Sequence, residues 1–133
     1  MSTDFDALVA HAQFGPSKTG EHDLWKAALA LDHWYFLGQG EGDDVEPVFA
    51  RHEGKTHLIA FTDEARAEAA AGFQEQRGGV RPPVLHMDVP DAIDYLRVLD
   101  QDGQVAGVHF NNGLHAFSAS LVQIIDMAKR YRG

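Results

Sequence analysis

In the first quarter of the chain, apolar side chains recur three and four positions apart, which is typical of amphipathic helices. This spacing predicts one helix over Asp4–Ala12 and a second over Glu21–Asp32, with Thr19 placed to cap the second. The buried stripes predicted for the two helices are Phe5, Leu8, Val9 and Ala12, and Leu24, Trp25, Ala28 and Leu31. Both stripes are continuous enough to pack on a common core.

An aromatic run follows, and its composition predicts a strand over His33–Leu37. Successive side chains of a strand point to opposite faces, so the two faces of this run must differ. We expect Trp34 and Phe36 in the core with Tyr35 partly exposed, or the reverse. The glycine- and acid-rich segment Gly38–Asp44 is too polar to pack and is expected to be a mobile loop.

A hairpin is predicted next, with Val45–His52 and Thr56–Phe61 as its strands. Gly54-Lys55, with glycine first, suits a two-residue type II′ turn. That turn would pair Val48 with Phe61, Ala50 with Ile59 and His52 with His57. Pro47 has no N–H to give to a ladder, so its strand is expected to lie at a sheet edge or to begin after Pro47.

The second half of the chain alternates helical and strand-like segments. Helices are predicted from Thr62 or Asp63 to about Gln76, from Asp88 to about Leu99, and from Ser118 or Ser120 to about Tyr131. Strands are predicted over Pro83–Met87, Val105–Phe110 and Leu114–Phe117. Asn112-Gly113 is the strongest turn signal, since a type I′ turn needs two residues at positive φ. It would pair Phe110 with His115 and His109 with Ala116.

Together these segments predict an α+β fold with the order ααβββαβαββα. Two helical crossovers imply parallel neighbours and two hairpins imply antiparallel ones, so we expect a mixed five- to six-stranded sheet with helices packed against it. At 133 residues the chain fits a single domain over 1–133. Its core is expected over about 21–131, with an N-terminal helix and linker over 1–20.

Composition narrows the class of protein. The chain has no cysteine, which excludes disulfides, thiolate zinc sites and cysteine nucleophiles and fits a cytoplasmic protein. It shows no secretory signal and no apolar stretch long enough for a membrane span. Its formal net charge is −9, and residues 1–76 hold 14 acids against 5 bases. Because nonspecific nucleic-acid binding needs clustered Lys and Arg, this balance argues against a nucleic-acid partner.

Several motifs are similar to those of one bacterial family. They are Trp34-Tyr35 at the aromatic strand, Ile59-Ala60-Phe61-Thr62-Asp63 before an alanine-rich helix, and Val108-His109-Phe110-Asn111-Asn112-Gly113 followed by Phe117-Ser118. Over about Leu24–Tyr131 the chain resembles the N-terminal domain of the SseB family, the enhanced-serine-sensitivity proteins. The resemblance implies an intracellular bacterial α+β domain. It implies no particular reaction and brings no catalytic residues.

No catalytic constellation is visible in the sequence. A Gly-x-Ser-x-Gly motif is absent, and the glycines of Gly38–Gly42 are followed by acids and lack the Lys-Ser/Thr of a phosphate-binding loop. Histidines are numerous, and His52 and His57, with Glu53 beside them, form the one candidate metal pair that the predicted hairpin brings together. We therefore expect no catalytic residues and no cofactor. We also expect no metal site other than this candidate pair of histidines.

The favoured hypothesis is a non-enzymatic binding or interaction domain whose partner is another protein, or a second copy in a homodimer. The candidate binding residues are Trp34, Tyr35, Asn111 and Asn112. One alternative is a small-ligand- or metal-responsive regulator that uses His52 and His57. The other is a small enzyme whose residues are assembled from separate elements.

Overall fold

The computed structural model describes residues 5–14, 19–40, 45–111 and 116–131. The helices of this part are α1 Phe5–Phe14, α2 Thr19–Leu29, α3 Glu64–Gly78, α4 Val89–Asp102 and α5 Leu121–Tyr131. Its strands are β1 His33–Gln39, β2 Glu46–Pro47, β3 Phe49–His52, β4 Lys55–Ala60, β5 Val84–Asp88, β6 Gly107–Phe110 and β7 Phe117–Ser120. The α+β class is confirmed, and no helix in the described ranges is long and apolar enough to cross a membrane.

The strands form two sheets, where the sequence predicted one. A three-stranded sheet has the order β2-β1-β5, and a four-stranded sheet has the order β3-β4-β6-β7. A single antiparallel bridge between Tyr35 and Phe61 joins them. Pro47 lies in β2 at the edge of the smaller sheet, as its missing N–H requires.

The expectation of parallel neighbours at both crossovers is half right. Strands β4 and β6 are parallel, but β5, which lies between α3 and α4 in sequence, pairs only with β1 and is antiparallel to it. The chain therefore leaves the larger sheet through α3, adds β5 to the smaller one, and returns through α4. Hydrophobic periodicity does not contain this information, because it specifies faces and not neighbours.

The predicted register of the β3–β4 hairpin was wrong by two residues. Ala50 pairs with His57 and His52 pairs with Lys55, so the turn is Glu53-Gly54 and not Gly54-Lys55. Both turn residues have positive φ, 54° for Glu53 and 79° for Gly54, as a type I′ turn requires. A shift of two keeps every side chain on its predicted face, so the apolar pattern could not reveal it.

The predicted β6–β7 register was also wrong by two residues. Phe110 pairs with Phe117, and His109 pairs with Ser118. The connection between the strands is thus longer than a two-residue turn. The turn predicted at Asn112-Gly113, and His115 with it, lie outside the described residues.

The main hydrophobic cluster lies between the helices and the inner faces of both sheets. Trp34 and Phe36 are fully buried in it while Tyr35 is half-buried, which confirms one of the two predicted orientations of β1. Helix α1 belongs to the same cluster, since Phe5 stacks on Phe117 with ring centroids 6.2 Å apart. Helix α1 therefore contributes to the main hydrophobic cluster.

Two of three predicted caps make capping hydrogen bonds at helix starts. The Asp63 side chain accepts a hydrogen bond from the backbone N–H of Arg66 at α3. Ser120 and Gln123 bond each other's backbone N–H groups at α5, a capping box. Asp88 occupies the N-cap position of α4, but its carboxylate makes no capping bond there and instead lies 2.9 Å from Nε2 of His33.

Candidate functional site

A cavity of about 650 Å³ opens between helix α3 and one face of the β3-β4-β6 strands. We call it the α3 groove. It is lined by Leu37, Val48, Ala50, Arg51, Ile59, Phe61, Arg66, Ala69, Ala70, Phe73, Gln74, Arg77, His109 and Asn111. Eight of these fourteen residues are apolar and six are polar or charged, and the volume lies in the range of ligand sites in proteins.

The groove exists because α3 covers only part of the sheets. The helix packs mainly on β1 and β5 of the smaller sheet, through a second buried cluster that includes Ala67 and Ala71. Small side chains let it lie close to those strands. Ala70 and Phe73 of α3 also line the groove, together with Ile59 of β4, which belongs to the same buried cluster.

Asn111 and Thr62 form a buried polar link at the inner end of the groove. The Asn111 side-chain amide donates to the Thr62 hydroxyl at 3.0 Å, and its oxygen accepts from the Thr62 backbone N–H at 3.0 Å. Asn111 is only 6% exposed and has a φ of 56°, a conformation that asparagine tolerates better than most residues. The link ties the end of β6 to the residues that begin α3, and so it sets the position of the groove wall.

Replacing Asn111 with alanine is therefore expected to lower the free energy of unfolding by about 2 kcal/mol, because it leaves the buried Thr62 N–H unpaired and keeps the strained φ. Replacement with glycine relieves φ and should cost less than alanine. Urea denaturation followed by circular dichroism measures both. Equal losses in the two variants would show that backbone strain is negligible and that the hydrogen bonds account for the whole effect.

Three arginines line the groove, in different electrostatic states. Arg66 donates to Asp63 at 2.9 Å and to Asp6 at 2.7 Å, which joins α1 to α3. Burial by itself lowers the pKa of Arg66, but hydrogen bonds and charge from Asp6, and then from Asp63, outweigh it and raise the pKa. With two carboxylates against one guanidinium, this position does not attract a further anion.

The other two cations remain available to a ligand. Arg77 lies 5.8 Å from the centroid of the Phe73 ring, and Arg51 donates to the backbone carbonyl of Gly54 at 2.9 Å. Neither forms an ion pair with a carboxylate in the described part of the chain. Among the described residues that line the groove there is also no Asp or Glu. The groove is thus locally basic in a chain of net charge −9.

Of the four candidate binding residues predicted from the sequence, the structure describes three, and these differ in their position relative to the groove. Trp34 is buried, and its indole N–H donates to the Ala28 carbonyl at 2.9 Å, so it is not available to a partner. Tyr35 is half-buried and packs against the second cluster, outside the lining of the groove. Asn111 does line the groove. Asn112 lies outside the described residues.

His52 and His57, the predicted metal pair, do not have the cross-strand pairing that the sequence predicted. The backbone of His57 pairs with Ala50 and that of His52 with Lys55, so the two histidines are not directly opposite. His57 Nδ1 lies 3.1 Å from the Lys55 carbonyl. In the ranges that the structure describes, no three His, Asp or Glu side chains are arranged to hold a metal ion.

The helix side of the groove was missed by sequence reasoning. Phe73 is 57% exposed and sits one turn before Arg77 on α3. A large apolar residue on the polar side of a surface helix was the available signal, and the alanine-rich pattern around it concealed that signal. A second grouping that the sequence did not predict lies on the paired strands β1 and β5. The rings of His33 and His86 have centroids 5.2 Å apart, and His33 Nε2 lies 2.9 Å from an Asp88 carboxylate oxygen.

No protein-family model matches the chain, and no curated protein shows significant similarity to it. The resemblance to the SseB family therefore stays a prediction, and the groove has to be interpreted from its own geometry.

Proposed function

We propose that this chain is a non-enzymatic binding domain of the SseB type that acts in the bacterial cytoplasm and holds its ligand in the α3 groove. The observation that carries the proposal is the groove itself, about 650 Å³ of space between a helix and a sheet that the protein's own side chains do not fill. An open groove of this size, with a helix on one side and a sheet on the other, is typical of a ligand-binding site.

The lining supports binding rather than catalysis. Ile59, Phe61 and Ala70 offer apolar contact, while Asn111 and His109 add polar groups at the floor. The described lining residues include no Asp or Glu, so the groove offers a ligand apolar contact and hydrogen bonds and no carboxylate for general acid–base chemistry.

The test is a fragment screen followed by NMR mapping on the uniformly ¹⁵N-labelled protein. Fragments that bind are expected to shift the amide signals of β4 and of the second half of α3. Replacing Ala70 with tryptophan fills the groove, and it should weaken fragment binding at least about tenfold because the bulky ring takes the ligand's volume.

The matched control is Ala65→Trp, which places the same ring on the exposed side of α3, outside the groove. This variant should bind fragments as the parent does. Thermal denaturation shows whether both variants fold. The proposal is wrong if fragments bind folded Ala70→Trp as tightly as the parent protein, or if the shifts map away from the groove.

A further inference from the structure

Strand β3 is an edge strand, and its register determines which backbone groups point outward. It pairs with β4 on one side and has no partner strand on the other within the described residues. The Ile59 N–H donates to the Val48 carbonyl at 3.2 Å, while the Val48 N–H donates to the Leu37 carbonyl of β1, so the carbonyl of Val48 faces β4. Hydrogen-bonded pairs alternate along an antiparallel ladder, so Ala50 also faces β4. The N–H and C=O groups of Phe49 and Arg51 therefore point away from the sheet.

The α3 groove lies beside this open edge. Val48 and Ala50 line it from the strand side, and Phe73 and Arg77 line it from the helix side. A sheet edge next to a helix-walled groove is the arrangement in which proteins bind extended peptides by strand addition, with main-chain hydrogen bonds to the edge and pockets for alternate side chains. The exposed ring of Phe73 fits the same use, since aromatic and arginine side chains are enriched at binding interfaces.

The arginines beside the edge strand and the groove favour a peptide with negatively charged side chains. Neighbouring side chains of a strand leave the backbone on opposite faces, so the Arg51 side chain starts on the face opposite to Ala50, although Arg51 also contributes to the rim of the groove. An added strand with apolar side chains in the groove would present its alternate side chains next to Arg51. Opposite charges placed across strands stabilise such a pair. Arg77 adds a second cation at the groove rim, and no carboxylate lines the described part of the groove.

We propose that the ligand is an extended segment of a protein with alternating apolar and acidic residues, which adds a strand to β3 and places its apolar side chains in the α3 groove. The inference rests on the proposed function and names the partner class for the same site. Phe49 and Arg51 supply the main-chain hydrogen bonds, Arg51 pairs with the acidic side chains, and Phe73 covers the apolar ones.

The probe is a fluorescein-labelled peptide of alternating valine and glutamate, seven residues long, measured by fluorescence anisotropy. Two further peptides test its features: one has lysine in place of glutamate, and the other has the same sequence with every second peptide nitrogen methylated. We expect the acidic peptide to bind at least about tenfold more tightly than the basic one. The methylated peptide should lose binding, because methylation removes the N–H groups that a strand needs.

On the protein side, Arg51→Glu should weaken the acidic peptide at least about tenfold and improve the basic one. Arg97→Glu is the matched control, since it makes the same charge change at an exposed arginine of α4, outside the groove. Unchanged affinity in Arg51→Glu, or full binding of the methylated peptide, overturns the inference. If the acidic peptide does not bind while fragments still bind the parent and not Ala70→Trp, the peptide inference is wrong and the proposed function stands.

Discussion

A chain with alanine in place of Trp34 is expected to lose about 4 kcal/mol of its free energy of unfolding, the cost typical of removing a fully buried large aromatic side chain. Trp34 is completely buried and packs edge-to-face on Phe110, with ring centroids 5.0 Å apart. Its indole N–H bonds the Ala28 carbonyl, which the variant leaves without that donor. Urea denaturation followed by far-ultraviolet circular dichroism measures the loss.

Tyr35→Ala is the matched control, because Tyr35 is the next residue of the same strand and is only half-buried. Its expected cost is about 1 kcal/mol, within the range of ordinary point mutations. The comparison bears on function, since lost binding in Trp34→Ala would report unfolding and not a lost contact. A cost for Trp34→Ala no larger than for Tyr35→Ala would contradict the placement of Trp34 in the core.

The second large effect is expected at Gly107, in the first position of β6. A Cβ atom there would overlap the backbone carbonyl of Ala119 in the neighbouring strand β7. A backbone group in a paired strand cannot move aside without breaking the ladder, so Gly107→Ala should cost about 3 kcal/mol, at the upper end of overpacking effects. Equilibrium denaturation in urea gives the value.

Gly78→Ala serves as its control. A Cβ at Gly78 meets no atom within 4 Å, and the residue ends a helix, so alanine there should leave the free energy of unfolding unchanged or raise it by up to about 1 kcal/mol. If Gly107→Ala were as stable as Gly78→Ala, the close pairing of β6 with β7 would be wrong. The four-stranded order of the larger sheet would then need revision.

The net negative charge of the chain did not predict the charge of the residues that line the α3 groove. The chain carries 20 acids and 11 bases, yet the described lining of the groove holds three arginines and no acid. Net charge describes the field at a distance, while a bound segment contacts a handful of local groups. Arg51 and Arg77 are far apart in sequence and adjoin one groove only through the position of α3.

Local pattern and local chemistry were sufficient for most of the secondary structure. The stripe of Leu121, Ile124 and Ala128 predicted α5, and these side chains are buried. Asp63 was identified as a cap because a short acceptor before an alanine-rich run satisfies a backbone N–H. The period of two predicted that Trp34 and Phe36 share one face of β1 and left open which face is buried. Each of these properties depends on residues within one or two turns of the chain.

Register was decided by the tertiary structure. Glu53-Gly54 and Gly54-Lys55 are both acceptable two-residue turns, and the two alternatives leave the same side chains on the same faces. Hydrophobic burial therefore cannot distinguish them, and the choice rests on turn backbone and neighbouring strands. The same reasoning applies to β6 and β7, where Phe110 pairs with Phe117 two positions beyond the prediction.

What the sequence by itself determined is the α+β class, most of the helices with two of their caps, and which side chains share a face of each strand, because these depend on interactions between near neighbours. Only the tertiary structure decided that the strands divide into two sheets and that α3 lies over β1 and β5. Those choices depend on contacts between residues such as Thr62 and Asn111, which are distant in sequence. The α3 groove is the space that this packing leaves open, so no local pattern could have predicted it.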